Sequence, residues 1–113
     1  MTKIYHNPRC GKSRQTLKLL QEQDEPLEIV EYLKNQPTIE ELREIVTKLG
    51  IRPGELVRKG ESIFKEQYKG KDLSDDQWIA AMVENPILIE RPIVIKGDQA
   101  VIGRPPENVH QLI

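Results

Sequence analysis

The one cysteine of this chain, Cys10, lies in the run His6-Asn7-Pro8-Arg9-Cys10-Gly11-Lys12-Ser13-Arg14, crowded by positive side chains. A thiol is nucleophilic as its thiolate, which nearby cations and the unpaired amides at a helix start both favour. Arg9, Lys12 and Arg14 supply the first influence, with His6 as a further candidate. The second depends on where the helix begins. Ser13, Thr16, Leu17 and Leu20 recur at the spacing of one helix face, and Asn7-Pro8 favours a turn before them. That spacing predicts a helix starting near Cys10, with the thiol in its first turn. The same amides can hold an oxyanion. A small, inert, buried cysteine is the competing reading, because that use of the residue is common. Composition alone leaves the two level; the loop placement and the clustered cations favour the reactive one.

The elements that must position Cys10 follow from the flanking residues. Lys3-Ile4-Tyr5 has strand character, and Leu27 to Tyr32 reads as a second strand after Pro26. Strand, helix and strand in about thirty residues make a βαβ unit with parallel strands. Its Cys10 loop falls at the carboxyl end of the first strand, where open α/β sheets bind ligands. Further on, Thr38 with Glu41 and Ser74 with Gln77 are capping-box pairs that start two helices. The first continues through Leu42, Ile45, Val46 and Leu49 to Gly50, the second through Trp78, Ile79, Met82 and Val83 to Asn85-Pro86. Pro53 starts a shorter helix, and Ser62 to Tyr68 fits no single template. Ile93-Val94-Ile95 and Ala100-Val101-Ile102, separated by Lys96 to Gln99, form a hairpin, and Glu107 to Ile113 a closing helix. The apolar helix stripes are ordinary core faces, and the acidic groups at the helix starts are solvated. The fold class expected is α/β, a mixed sheet with helices on its faces.

Length and composition bound the function. At 113 residues the chain is one domain, and its net charge of −1 argues for neither nucleic acid nor an acidic membrane surface. A single cysteine excludes an internal disulfide and a multi-cysteine metal site, and suits a reducing compartment. Without an apolar leader or a spanning-length apolar run, a soluble cytoplasmic protein is expected, with no metal, no membrane partner and no bound cofactor. Nothing in the sequence specifies an oligomer, and a monomer is expected.

The run His6-Asn7-Pro8-x-Cys10-x-x-Ser13-Arg14 resembles the active-site loop of the thioredoxin-fold, glutaredoxin-coupled arsenate reductases, relatives of the Spx-type regulators. Leu56-Val57-Arg58-Lys59, Asn85 to Val94 and Gly103-Arg104-Pro105 keep the family order, so the resemblance covers nearly the whole chain. It implies a single thioredoxin-like domain over residues 1–113, a βαβ–ββα core with a helical insertion at about 34–88, and a cis Arg91–Pro92 peptide. It also implies roles. Cys10 matches the nucleophile that forms a cysteine–arsenic adduct, and Arg58, Arg91 and Arg104 match the oxyanion-binding arginines. His6 and Ser13 match residues that tune the thiolate. Guanidinium groups stay charged and offer forked donors to tetrahedral oxyanions, which suits that assignment. Each arginine taken singly reads more readily as a solvated or ion-paired surface group than as a ligand, His6 reads equally as a packed strand-end histidine, and His110 reads as a helix-surface residue.

In the family, glutathione as co-substrate and glutaredoxin as partner complete the reduction of arsenate. A lone cysteine fits that scheme, because the resolving thiol must come from outside the chain. Two alternatives remain at this point: a non-catalytic Spx-like regulator binding RNA polymerase, and a glutathione-dependent reductase of another substrate. Ser13, standing where an Spx-type Cys-x-x-Cys switch has its second cysteine, argues against the switch but not against a binding role.

Overall fold

Strand β1 (Thr2–His6) is buried along nearly its whole length, which marks it as an inner strand. In the computed structural model, which describes residues 1–113, it lies between β2 (Leu27–Glu31) and β3 (Ile93–Lys96), and β4 (Gln99–Ile102) completes the sheet. The order is β2-β1-β3-β4. β1 runs parallel to β2, Ile4 opposite Ile29, and antiparallel to β3, Ile4 opposite Val94. β3 and β4 form the expected hairpin, with Gly97 at φ 62° in its two-residue loop. A glycine takes that left-handed conformation at little cost, as the first position of a II′ turn requires.

Helix α1 (Gly11–Glu22) connects the parallel pair. Its inward face carries Ser13, Thr16 and Leu20, all fully buried. Leu20 joins Ile4, Val94 and Val109 in one apolar cluster, so a helix, two strands and the C-terminal segment close on each other. Tyr5 and Ile93, paired across β1 and β3, face the other way and are buried as well. The closing helix is a 3-10 segment, Pro106–Gln111. Its bonds run three residues back, as from Leu112 N–H to the Val109 carbonyl, a tight winding suited to a short piece that begins at the second of two prolines.

The chain divides into two compact units, residues 1–35 with 91–113, and residues 36–90. The second holds α2 (Ile39–Leu49) and α3 (Asp75–Glu84), each begun by a complete capping box, Thr38 with Glu41 and Ser74 with Gln77. α2 ends where Gly50 turns left-handed. The stretch that matched no template contains a π-helix, Phe64–Tyr68, closed by the Lys69 N–H bonding the Phe64 carbonyl. Phe64 stacks on Trp78 and Tyr68 lies tilted against it, with ring centroids 6.1 and 6.0 Å away. A winding whose hydrogen bonds span five residues does not follow the 3.6 or 2.0 periods by which helices and strands are read, and tertiary aromatic packing accompanies it here. No helix is long and apolar enough to cross a membrane.

Candidate active site

Cys10 is the N-cap of α1, with extended dihedrals, immediately after β1 and a tight loop. Local hydrogen bonds shape that loop. The Asn7 side chain accepts from the Arg9 N–H at 3.0 Å, and the Asn7 carbonyl accepts from the Cys10 N–H at 3.0 Å. The Asn7 N–H in turn donates to Ser13 Oγ at 3.0 Å, so the loop's entry is fastened to the first turn of the helix. An asparagine before a helix start commonly organises a turn in this way.

Ser13 serves twice. Its backbone N–H hydrogen-bonds the Cys10 sulfur, while its hydroxyl lies 2.6 Å from His6 Nδ1 and accepts from Asn7. His6 therefore acts on Ser13. Burial lowers the pKa of His6, with Glu31 opposing and Arg14 assisting. A neutral ring can accept the Ser13 hydroxyl hydrogen at Nδ1, which leaves that oxygen's lone pairs for the Asn7 amide.

Arg91 and Arg104 both reach the sulfur. Arg104 Nη2 donates to Cys10 Sγ at 3.2 Å and its Nε to the Arg91 carbonyl at 2.8 Å, and Arg91 also hydrogen-bonds the thiol through its side chain. The register explains the convergence. Ile93 opposes Ile102, so the residues just before β3 and just after β4 emerge at the same end of the hairpin. The Arg91–Pro92 peptide is cis, as is Arg104–Pro105.

The Cys10 pKa is lowered from the ordinary thiol value. Burial is the largest single influence and pushes it up; the Ser13 amide, the Arg91 hydrogen bond and the charges of Arg104 and Arg91 together outweigh it. Cys10 is only 9 % exposed, drier than its cation-rich loop suggests, while Arg9, Lys12 and Arg14 around it are exposed. Arg14 turns back to cap the Pro8 carbonyl at 2.9 Å. The strongest cations on the sulfur come from the far end of the sequence.

Arg58 belongs to the second unit. Its backbone N–H donates to the Leu88 carbonyl at 2.7 Å, and its guanidinium pairs with Glu61 at 3.0 Å and Glu90 at 3.2 Å. His110 is exposed on the C-terminal 3-10 segment.

Gly103 is a residue whose importance the sequence reading did not single out beyond its place beside Arg104. A Cβ there would sit 2.6 Å from Thr16 Oγ1 and 2.8 Å from Pro92 Cγ. Thr16 is fully buried and the proline ring is fixed, so neither can swing away. Gly103→Ala is expected to destabilise the fold by about 1–3 kcal/mol through overpacking. Urea unfolding of the variant against the parent protein measures it.

Three comparisons bear on this arrangement. The sequence model of the ArsC family matches residues 5–112. The chain is 44% identical over 112 residues to an arsenate reductase of Haemophilus influenzae, covering 97% of each chain. It is 46% identical over 113 residues to YfgD of Escherichia coli K12, an uncharacterised protein, covering 98% of this chain and 95% of that one. Among solved structures, an arsenate reductase from Vibrio cholerae superimposes with a TM-score of 0.95 at 45% identity, over 99% of this chain and 97% of the other.

Proposed function

Because the chain belongs to the ArsC family and has its thioredoxin-like α/β fold, we propose that it is a cytoplasmic arsenate reductase with Cys10 as nucleophile, supplied with electrons by glutathione and glutaredoxin. The observation that carries this reading is the meeting of two guanidinium groups and a helix-start amide on one sulfur. That set favours a thiolate and surrounds it with donors for an oxyanion. An inert core cysteine has no need of either.

The chemistry balances with three thiols. The Cys10 thiolate attacks arsenic, an As–S bond forms, and one arsenate oxygen departs as water after protonation. Arg91 and Arg104 hold the remaining oxygens and offset their charge. Glutathione then displaces a second oxygen as water, leaving arsenic(V) between Cys10 and glutathione. The glutaredoxin thiolate attacks the glutathione sulfur; a disulfide forms, and the As–S electron pair stays on arsenic, which becomes arsenic(III). Glutathione and glutaredoxin thus supply the two electrons. Water cleaves the last As–S bond, releasing arsenite and restoring the Cys10 thiolate. The scheme requires no resident cofactor or metal. The place of Arg58 in the oxyanion set, and of His6 and Ser13 in tuning the thiolate, is part of the same proposal, with the resemblance as support for Arg58.

The test follows arsenite production with the complete mixture and with glutathione or glutaredoxin left out in turn. Turnover only when both are present is expected. Equal turnover without glutaredoxin would overturn the electron route, and no arsenite under any condition would overturn the substrate.

A further inference from the structure

The turn that carries Arg104 is held from two sides. On the α1 side, the Thr16 hydroxyl lies 2.9 Å from the Lys12 carbonyl and 3.3 Å from that of Gly103, in the space a larger residue at 103 would need. On the other side, the Asn108 side-chain nitrogen donates to the carbonyls of Ile102 and Arg104, each at 3.1 Å. One carboxamide has two N–H groups, so each carbonyl receives its own hydrogen. These carbonyls belong to the peptide that enters Gly103 and the peptide that leaves Arg104, bracketing a pair in which Gly103 has no side chain to restrict the backbone. Gripping both restrains the backbone before Gly103 and after Arg104, and with it the direction in which the Arg104 side chain leaves the chain.

Asn108 is itself well anchored. Its N–H bonds the Pro105 carbonyl at 3.0 Å, and the next residue, Val109, is fully buried in the core. A guanidinium is planar, so the Arg104 Nε bond to the Arg91 carbonyl sets the plane in which Nη2 meets the sulfur. A small rotation at the base of the side chain would misalign both. We propose that Asn108 is a positioning residue for the reaction, its carboxamide aiming Arg104 at Cys10 and at the bound oxyanion. This rests on reading Cys10 and Arg104 as the reacting pair.

The experiment compares Asn108→Ala with Val109→Ala, a core truncation that weakens the same segment without touching the two carbonyls. Cys10 ionisation is followed by the ultraviolet absorbance of the thiolate, alongside Tm and the KM for arsenate. Asn108→Ala is expected to raise the Cys10 midpoint and to raise the arsenate KM by about tenfold, the scale of a misplaced hydrogen bond to charge. Val109→Ala is expected to lower Tm while leaving the midpoint at the parent value. An unchanged midpoint in Asn108→Ala, or an equal rise in Val109→Ala, would overturn the assignment. Should Asn108→Ala not fold, Asn108→Ser, which keeps one donor, decides by the same midpoint. The ionisation arm needs no arsenate, so a protein that reduces none still answers it.

Discussion

Cys10→Ser is expected to reduce arsenate no faster than buffer and to take up no iodoacetamide, while folding as the parent protein does. The chain has no second thiol to substitute. A serine hydroxyl has too high a pKa to supply an alkoxide at the helix start, so the As–X bond of the first step does not form. The parent protein supplies the finer test. Its alkylation should titrate with a midpoint below that of a free thiol, about 8.5. Burial raises that midpoint, and the Ser13 amide with Arg91 and Arg104 lowers it further than burial lifts it. The sign carries through to stability. A folded pKa below the unfolded one contributes stability that is fully present above the unfolded pKa and lost as pH falls through the folded one. The Tm difference between the parent protein and Cys10→Ser should therefore widen from neutral towards alkaline pH. A midpoint at or above the free value, or a thiol unreactive until the chain unfolds, would return Cys10 to the class of inert core cysteines.

Arg104→Ala should raise the Cys10 midpoint and lower kcat/KM for arsenate by roughly 10²-fold, the usual scale for losing one donor to a developing oxyanion. Two bonds disappear together, the 3.2 Å contact with the sulfur and the 2.8 Å tie to the Arg91 carbonyl. Arg104→Lys separates charge from geometry. A lysine restores positive charge near the sulfur and so recovers part of the midpoint. It cannot donate to the carbonyl and the sulfur in one fixed plane, so the arsenate KM should stay high. Arg91→Ala is expected to act in the same direction, because Arg91 both hydrogen-bonds the thiol and adds to its field. An Arg104→Ala protein with parental midpoint and parental kcat/KM would remove the guanidinium pair from the site.

Much of this was legible in the residues because it is local. The capping boxes at Thr38 and Ser74 depend on two side chains three residues apart, and both are complete in the structure. The placement of Cys10 at a helix start follows from Asn7-Pro8 and the repeat through Leu20, and the hairpin from two β-branched runs around Gly97. Family order extended that reading to Arg91 and Arg104. Other features arise from contacts that no local period records. The π-helix at Phe64 accompanies rings meeting Trp78, and the short winding at Pro106 bonds three residues back. The cations nearest Cys10 in sequence turned out to be the exposed ones.

The amino-acid sequence by itself determined that a lone thiol begins a helix after a β-strand, in a chain whose strands and helices alternate as an α/β domain must. Charge, spacing and turn chemistry suffice for that, because each acts within a few bonds of the residue concerned. Family order named Arg58, Arg91 and Arg104 together, and the tertiary structure decided that Arg91 and Arg104 are the charges the sulfur meets. The antiparallel register of β3 and β4 carries Arg91 and Arg104 to one end of the sheet, and Gly103 leaves the space that lets their turn close on Thr16. Sheet pairing and close packing join residues more than ninety positions apart, and no pattern in either stretch alone encodes that they meet.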